Sequence, residues 1–103
     1  LDCPQTIDGA VVIFAAVLDA ARHRHTGSTR LYSETEQTWF HGLAIARYGR
    51  DSADGDVYLF YCDESWETEN DSCYATIEEA VEEAERQFGV VRQDWKPIAW
   101  PFD

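Results

Sequence analysis

Cys62, Asp63 and Glu64 stand together at the end of an apolar run, Val57 to Cys62, a place where active-site groups often gather. A cysteine nucleophile needs a nearby base and an electropositive setting to lower its pKa. Here the flanking acids would raise it, and His41 is distant in sequence, so the chemistry favours a buried, inert thiol. Glu64 and Glu67 could in principle share acid and base roles. With thirteen acids between residues 51 and 85, such a pairing arises by chance. No catalytic residue is assigned.

Metal-ligating patterns are equally sparse. His23 and His25 form an H-x-H pair that would share one face if extended, and His-rich tracts can bind metal. No acid or cysteine is close by in sequence to complete the set, so an exposed basic turn is the better account. Arg22, Arg24 and Arg30 make the same segment the chain's basic concentration, able to hold a phosphate or an acidic group. Pairing with the protein's own acids is the stronger reading of it. Asp51, Asp54 and Asp56 surround Gly55 but lack EF-hand spacing and its distal glutamate, so a solvated hairpin tip is expected. Cys3, Cys62 and Cys73 are odd in number and include no C-x-x-C pair, which argues against a disulfide framework and a four-ligand zinc site. A lone Cys62–Cys73 bridge would need a hairpin between them. The cysteine usage points to a reducing cytoplasm, with no metal and no cofactor expected.

Charge is more informative once located. The 103 residues carry a net charge of −12, yet residues 1–50 balance five acids with five arginines. Residues 51–85 contain no Lys, Arg or His, so this segment alone holds −13. Such a field repels phosphate backbones and attracts basic surfaces, which disfavours nucleic-acid binding through this half. Solubility alone is an equally sound reason for the charge. Trp66 lies inside the segment, in Asp63-Glu64-Ser65-Trp66-Glu67, where an indole either packs back over the core or is presented to a partner. Trp95 and Trp100 share that ambiguity.

The elements that must position these groups form one domain. Residues 1–9 read as an arm. Residues 10–18, opening Val11-Val12-Ile13-Phe14, read as a strand buried on both faces. That run is too short to span a membrane and lacks a basic flank for a signal peptide. A turn at Gly27 and a short strand near 29–33 follow, then a loop over 34–42. Residues 43–48 alternate as a strand, with 49–56 a hairpin loop and 57–62 a central antiparallel strand. A return strand is expected around 69–74.

The helix over 76–88 satisfies every local rule. Thr76 and Glu79 make a capping box. Ile77, Ala80, Val81, Ala84 and Phe88 form one apolar stripe. Glu78 and Glu79 suit the first turn, Glu82 and Arg86 pair at i, i+4, and Gly89 stops the helix. Val90–Val91 could add an edge strand before an irregular tail, 93–103.

With those elements in view, the chain resembles a group of small bacterial proteins without an assigned activity. The shared features are the turn His25-Thr26-Gly27-Ser28-Thr29-Arg30, the strand Gly42–Ile45, the strand Tyr58–Trp66 and the helix segment Glu78–Ala80. The resemblance covers roughly residues 10–92. It implies a meander followed by a helix and carries over no site residue.

The expected fold is α+β: an antiparallel meander of four or five strands with the C-terminal helix 76–88 on one face. The other face of the sheet needs a cover, which the tail or a second copy could supply, so both monomer and homodimer stand. The leading functional expectation is a small acidic, non-catalytic protein-binding module of the immunity or inhibitor kind. It would meet a basic partner protein through Trp66, Glu67, Glu69, Glu78, Glu82 and Glu85. The contrasting expectation is a small enzyme or ligand-binding domain that gathers His41, Tyr48, Tyr61 and Cys62 in a pocket between sheet and helix.

Overall fold

A computed structural model describes residues 3–19, 23, 40–48 and 56–98. They form β1 (Thr6–Ile7), β2 (Ala10–Val17), β3 (Gly42–Arg47), β4 (Val57–Cys62), β5 (Thr68–Tyr74), helix α1 (Ile77–Phe88), a 3-10 turn (Arg92–Asp94) and β6 (Lys96–Pro97). The sheet is antiparallel in the order β1-β2-β3-β4-β5, with β6 also pairing β2. This is the α+β meander with a C-terminal helix that the sequence pattern predicts. The short strand expected at 29–33 and most of the loop at 49–56 lie outside the described residues.

The N-terminal arm is more ordered than its composition suggests. Asp8 and Gly9 both take positive φ, 52° and 85°, the signature of a type I′ hairpin turn between β1 and β2. Ile7 then pairs Ala10 and Thr6 pairs Val11. Beyond β1 the Val12 N–H donates to the Gln5 carbonyl at 2.9 Å, so the arm continues beside β2. β6 pairs Phe14 and Ala15, so the two short strands divide the outer edge of β2 between them.

The expected edge strand at Val90–Val91 is not formed; the pairing lies at Lys96–Pro97 instead. Val90 is buried in the core, and the Val91 N–H is taken by the Asp94 carboxylate at 2.9 Å. That hydrogen bond turns the chain into the 3-10 segment before it can run alongside β2.

Alternation along the strands creates two cores. Leu43 and Ile45 of β3 and Val57, Leu59 and Tyr61 of β4 face α1, where they meet Ala80, Val81, Ala84 and Phe88. Ala44, Ala46, Phe60 and Cys62 face the opposite way, with Ala10, Val12 and Ala15. A bulge between Val12 and Phe14 resets β2, so that Val12 serves one face and Phe14 the other. The alanine-lined face is shallow, which lets a thin cover approach it. That cover includes Cys3 and Ile7 of the arm, Trp66 and the partly buried Ile98. The chain thus supplies cover for its own second face from the arm as well as from the tail.

The helix ends match their signals with two shifts. Glu79 N–H donates to the Thr76 hydroxyl at 3.1 Å, but the Glu79 carboxylate accepts from Ala75 N–H rather than from the cap residue. Gly89 adopts φ 77° and returns its N–H to Glu85. Arg86 pairs with Glu83, not with Glu82, and Gln87 donates to the same Glu83 carboxylate. The i, i+3 partner wins because Glu83 is half-buried beside the core, where it serves both donors.

Candidate functional site

The turn joining β4 to β5 is organised by Asp63. Its side chain accepts the N–H groups of Ser65 at 2.8 Å and Glu67 at 3.0 Å, while its carbonyl accepts Trp66 N–H at 2.9 Å. The Asp63 N–H closes the loop on the Glu67 carbonyl. The result is a tight turn followed by one left-handed residue, and that residue is Trp66, with φ 61°. A left-handed L-residue costs roughly 1–2 kcal/mol. The turn tolerates it because the indole is delivered to the alanine face, where it is 5% exposed.

Trp66 therefore packs back over the core, and a surface hot spot at this residue is ruled out by its burial. The indole meets the His41 ring edge-on, with centroids 5.5 Å apart. It also lies on Gly42, where an added Cβ would fall 2.4 Å and 2.7 Å from indole carbons. The absence of a side chain at Gly42 is what admits the ring.

What the turn leaves on the surface is charge. Glu64, Glu67 and Glu69 are exposed. With Asp63, Ser65 and His41, the carboxylates of Glu64 and Glu69 line an open depression of about 290 Å³. Among the described residues no group of three or more His, Cys, Asp or Glu is arranged to hold a metal ion. On the helix Glu78, Glu82 and Glu85 are exposed, and Glu78 is bound by the Arg92 guanidinium at 2.6 Å. Five of the six residues assigned to partner binding therefore lie at the surface: Glu67, Glu69, Glu78, Glu82 and Glu85.

The residues of the contrasting pocket do not converge. Tyr61 is buried on the helix side, where its hydroxyl meets Ser72 Oγ at 2.7 Å. Ser72 in turn reaches the Tyr74 hydroxyl at 2.9 Å, and burial pushes Tyr74 up to about 12. Cys62 is buried on the opposite face. Tyr48 is 40% exposed and packs edge-on against Tyr58. The space between sheet and helix is filled by Phe40, Tyr61 and Phe88, whose ring centroids lie 5.4–6.3 Å apart.

Cys62 and Cys3 carry buried thiols that resist ionisation. Burial, then the neighbouring Cys3, Asp63, Asp8 and Glu69, raise Cys62 to about 12, and burial raises Cys3 to about 11. Cys73 is exposed and sits opposite Tyr58, four residues along β4 from Cys62. At about 3.3 Å per residue that is roughly 13 Å, beyond the about 7 Å a disulfide spans. All three are free thiols.

His23 corrects both readings of its segment. It is neither an exposed turn residue nor an available ligand, because its side chain is 1% exposed and both ring nitrogens are engaged. Nδ1 accepts the Asp19 N–H at 2.8 Å, so the proton lies on Nε2, which donates to Asp94 Oδ2 at 3.0 Å. Asp94 is the same carboxylate that turns the chain at Val91. This clip between distant segments was not legible from the sequence, where nothing links residue 23 to residue 94. His25, Arg22, Arg24, Arg30, Asp51, Asp54 and Trp100 lie outside the described residues. Asp56 accepts from the Cys73 thiol, and Trp95 is buried in the helix-side core.

Searches of protein-family models, of curated proteins and of solved structures return no match to this chain. No helix among the described residues is long and apolar enough to cross a membrane.

Proposed function

We propose that this protein is a small acidic binding module that engages a basic partner protein, in the manner of an immunity or inhibitor protein. Its binding surface is made by the exposed carboxylates of α1 and of the β4–β5 turn. The observation that carries this reading is the placement of the acidic segment. Its described apolar residues other than Cys73 and Ala75 are spent on the two cores, while Glu64, Glu67, Glu69, Glu78, Glu82 and Glu85 all remain at the surface. Glu82 and Glu85 form no salt bridge among the described residues, and the nearby cation that acts on both, Arg92, is already held by Glu78. A surface of this kind steers a basic protein toward it and makes association fast and salt-sensitive.

The wrapped second face favours action as a monomer, and the three free thiols suit a reducing compartment such as the cytoplasm. The test is kinetic. A basic partner captured on the immobilised protein is mixed with wild type and with the triple variant Glu78→Lys, Glu82→Lys, Glu85→Lys. Association should slow several-fold and lose much of its salt dependence. Unchanged association rates at low salt refute the proposal.

A further inference from the structure

We infer that β5 is the edge at which an extended basic segment of the partner adds to the sheet through main-chain hydrogen bonds. This rests on the basic-partner reading and specifies its mode. β5 ends the sheet path, laddered to β4 on its inner side and with no strand beyond it among the described residues.

In an antiparallel strand each residue's N–H and C=O point to one side, and the side alternates along the chain. The Asp71 N–H donates to the neighbouring Asn70 side-chain carbonyl at 2.9 Å. That identifies Asp71 as a residue whose main chain faces outward. A neighbouring amide is a local stand-in for a strand carbonyl, and an incoming strand replaces it without stranding the donor.

The strand is also held ready. Ser72 and Tyr74 are tied through their hydroxyls to Tyr61, and α1 packs against β4 and β5 from the same side. An incoming segment therefore meets an ordered template, which lowers the entropy lost on binding. The bulge at Glu69, between the pairs Tyr61–Asn70 and Cys62–Thr68, confines straight pairing to residues 70–74.

Charge selects the occupant. Glu69 and Asp71 are exposed along this strand. A second copy of the chain would set β5 against β5 and bring these acids against one another, and like charges across strands are destabilising. Acids on an edge strand are a recognised block to self-pairing. A segment with Lys or Arg at alternate positions turns the same contacts into attractive cross-strand pairs. Its backbone supplies affinity and its alternate side chains supply selection.

The experiment uses the full chain and two peptides. One is an acetylated, amidated seven-residue peptide alternating Lys and Val; the other is the same peptide with alternate amides N-methylated. Binding is followed by amide NMR. The first peptide should shift the amides of residues 70–74, slow exchange at Asp71 N–H, and bind at least about tenfold more tightly than the second, the loss expected for two main-chain hydrogen bonds. Asp71→Lys should abolish that binding while leaving the melting temperature near wild type, because the side chain is exposed. Equal binding of both peptides without shifts in β5 refutes strand addition and leaves the basic-partner reading standing. Binding of neither also refutes strand addition, and the association-rate test above then judges the basic-partner reading separately. A wild-type dimer joined through β5 at neutral pH refutes the choice of occupant.

Discussion

Gly42→Ala should be among the most damaging small substitutions in this protein, for a reason confined to one contact. The new Cβ would lie 2.4 Å and 2.7 Å from two carbons of Trp66 and 3.1 Å from the Ala16 carbonyl oxygen. Carbon atoms pack at about 3.5–4.0 Å, so one side must give way. Ala16 is main chain in the middle of the sheet, paired to Leu43. The indole, carried by a surface turn, is the group that moves. Expelling a buried tryptophan outright costs about 3–5 kcal/mol by analogy with truncation, and a strained compromise costs about 1–3 kcal/mol. The usual gain from reducing unfolded-state freedom, about 0.4–1 kcal/mol, offsets part of this. A net loss of about 2–4 kcal/mol follows, which lowers the melting temperature by roughly 10–25 °C for a domain of this size. The assay is a double-mutant cycle in urea. In a Trp66→Ala background the same Gly42→Ala change should cost less than about 0.5 kcal/mol, giving a coupling of at least about 1.5 kcal/mol. Additive costs would refute the claim that Gly42 exists to seat the indole.

Two further outcomes follow from the buried polar groups. His23→Ala should destabilise the fold by about 2–4 kcal/mol, since it strips a hydrogen bond from the Asp19 N–H and from the buried Asp94 carboxylate. Imidazole nitrogen NMR of the wild type at neutral pH should show the proton on Nε2, and a proton on Nδ1 would overturn the clip. Cys62 and Cys3 both hold their thiols neutral in the folded state, with folded pKa values above the 9.0 of an ordinary thiol. Stability from this source is complete below pH 9 and is lost as pH rises from there toward about 12. The urea midpoint should fall over that window, and Cys62→Ala, though less stable at pH 7, should show a shallower fall; an equally steep one would remove Cys62 as a cause.

What was legible in the sequence was local. Thr76, Gly89 and the apolar stripe of α1 act within a few residues of each other, so helix, caps and buried face could be read directly. The alternation of 43–48 and the unbroken apolarity of 57–62 likewise placed β3 and β4 and called for cover on both faces. Asp8-Gly9 was a hairpin signal of the same local kind, hidden by the short β1 strand beside it. The unread features depend on partners far apart in the chain. Whether Trp66 faces water or core is decided by Gly42, and His23 is defined by Asp94.

The same distinction bears on where function lies. Trp66 looked like a binding residue because its neighbours are acidic, but acidity around a turn specifies only what the turn shows to solvent. The left-handed backbone at Trp66 rotates the indole inward and leaves Glu64, Glu67 and Glu69 outside. On α1, Ala80, Val81 and Ala84 turn inward and leave Glu78, Glu82 and Glu85 outside. One segment thus sorts its apolar and acidic residues twice, by a turn and by a helix, and both sortings leave the carboxylates at the surface. Solubility requires charge but not its concentration within one contiguous segment while the first fifty residues stay neutral. That concentration is the physical basis of the basic-partner proposal.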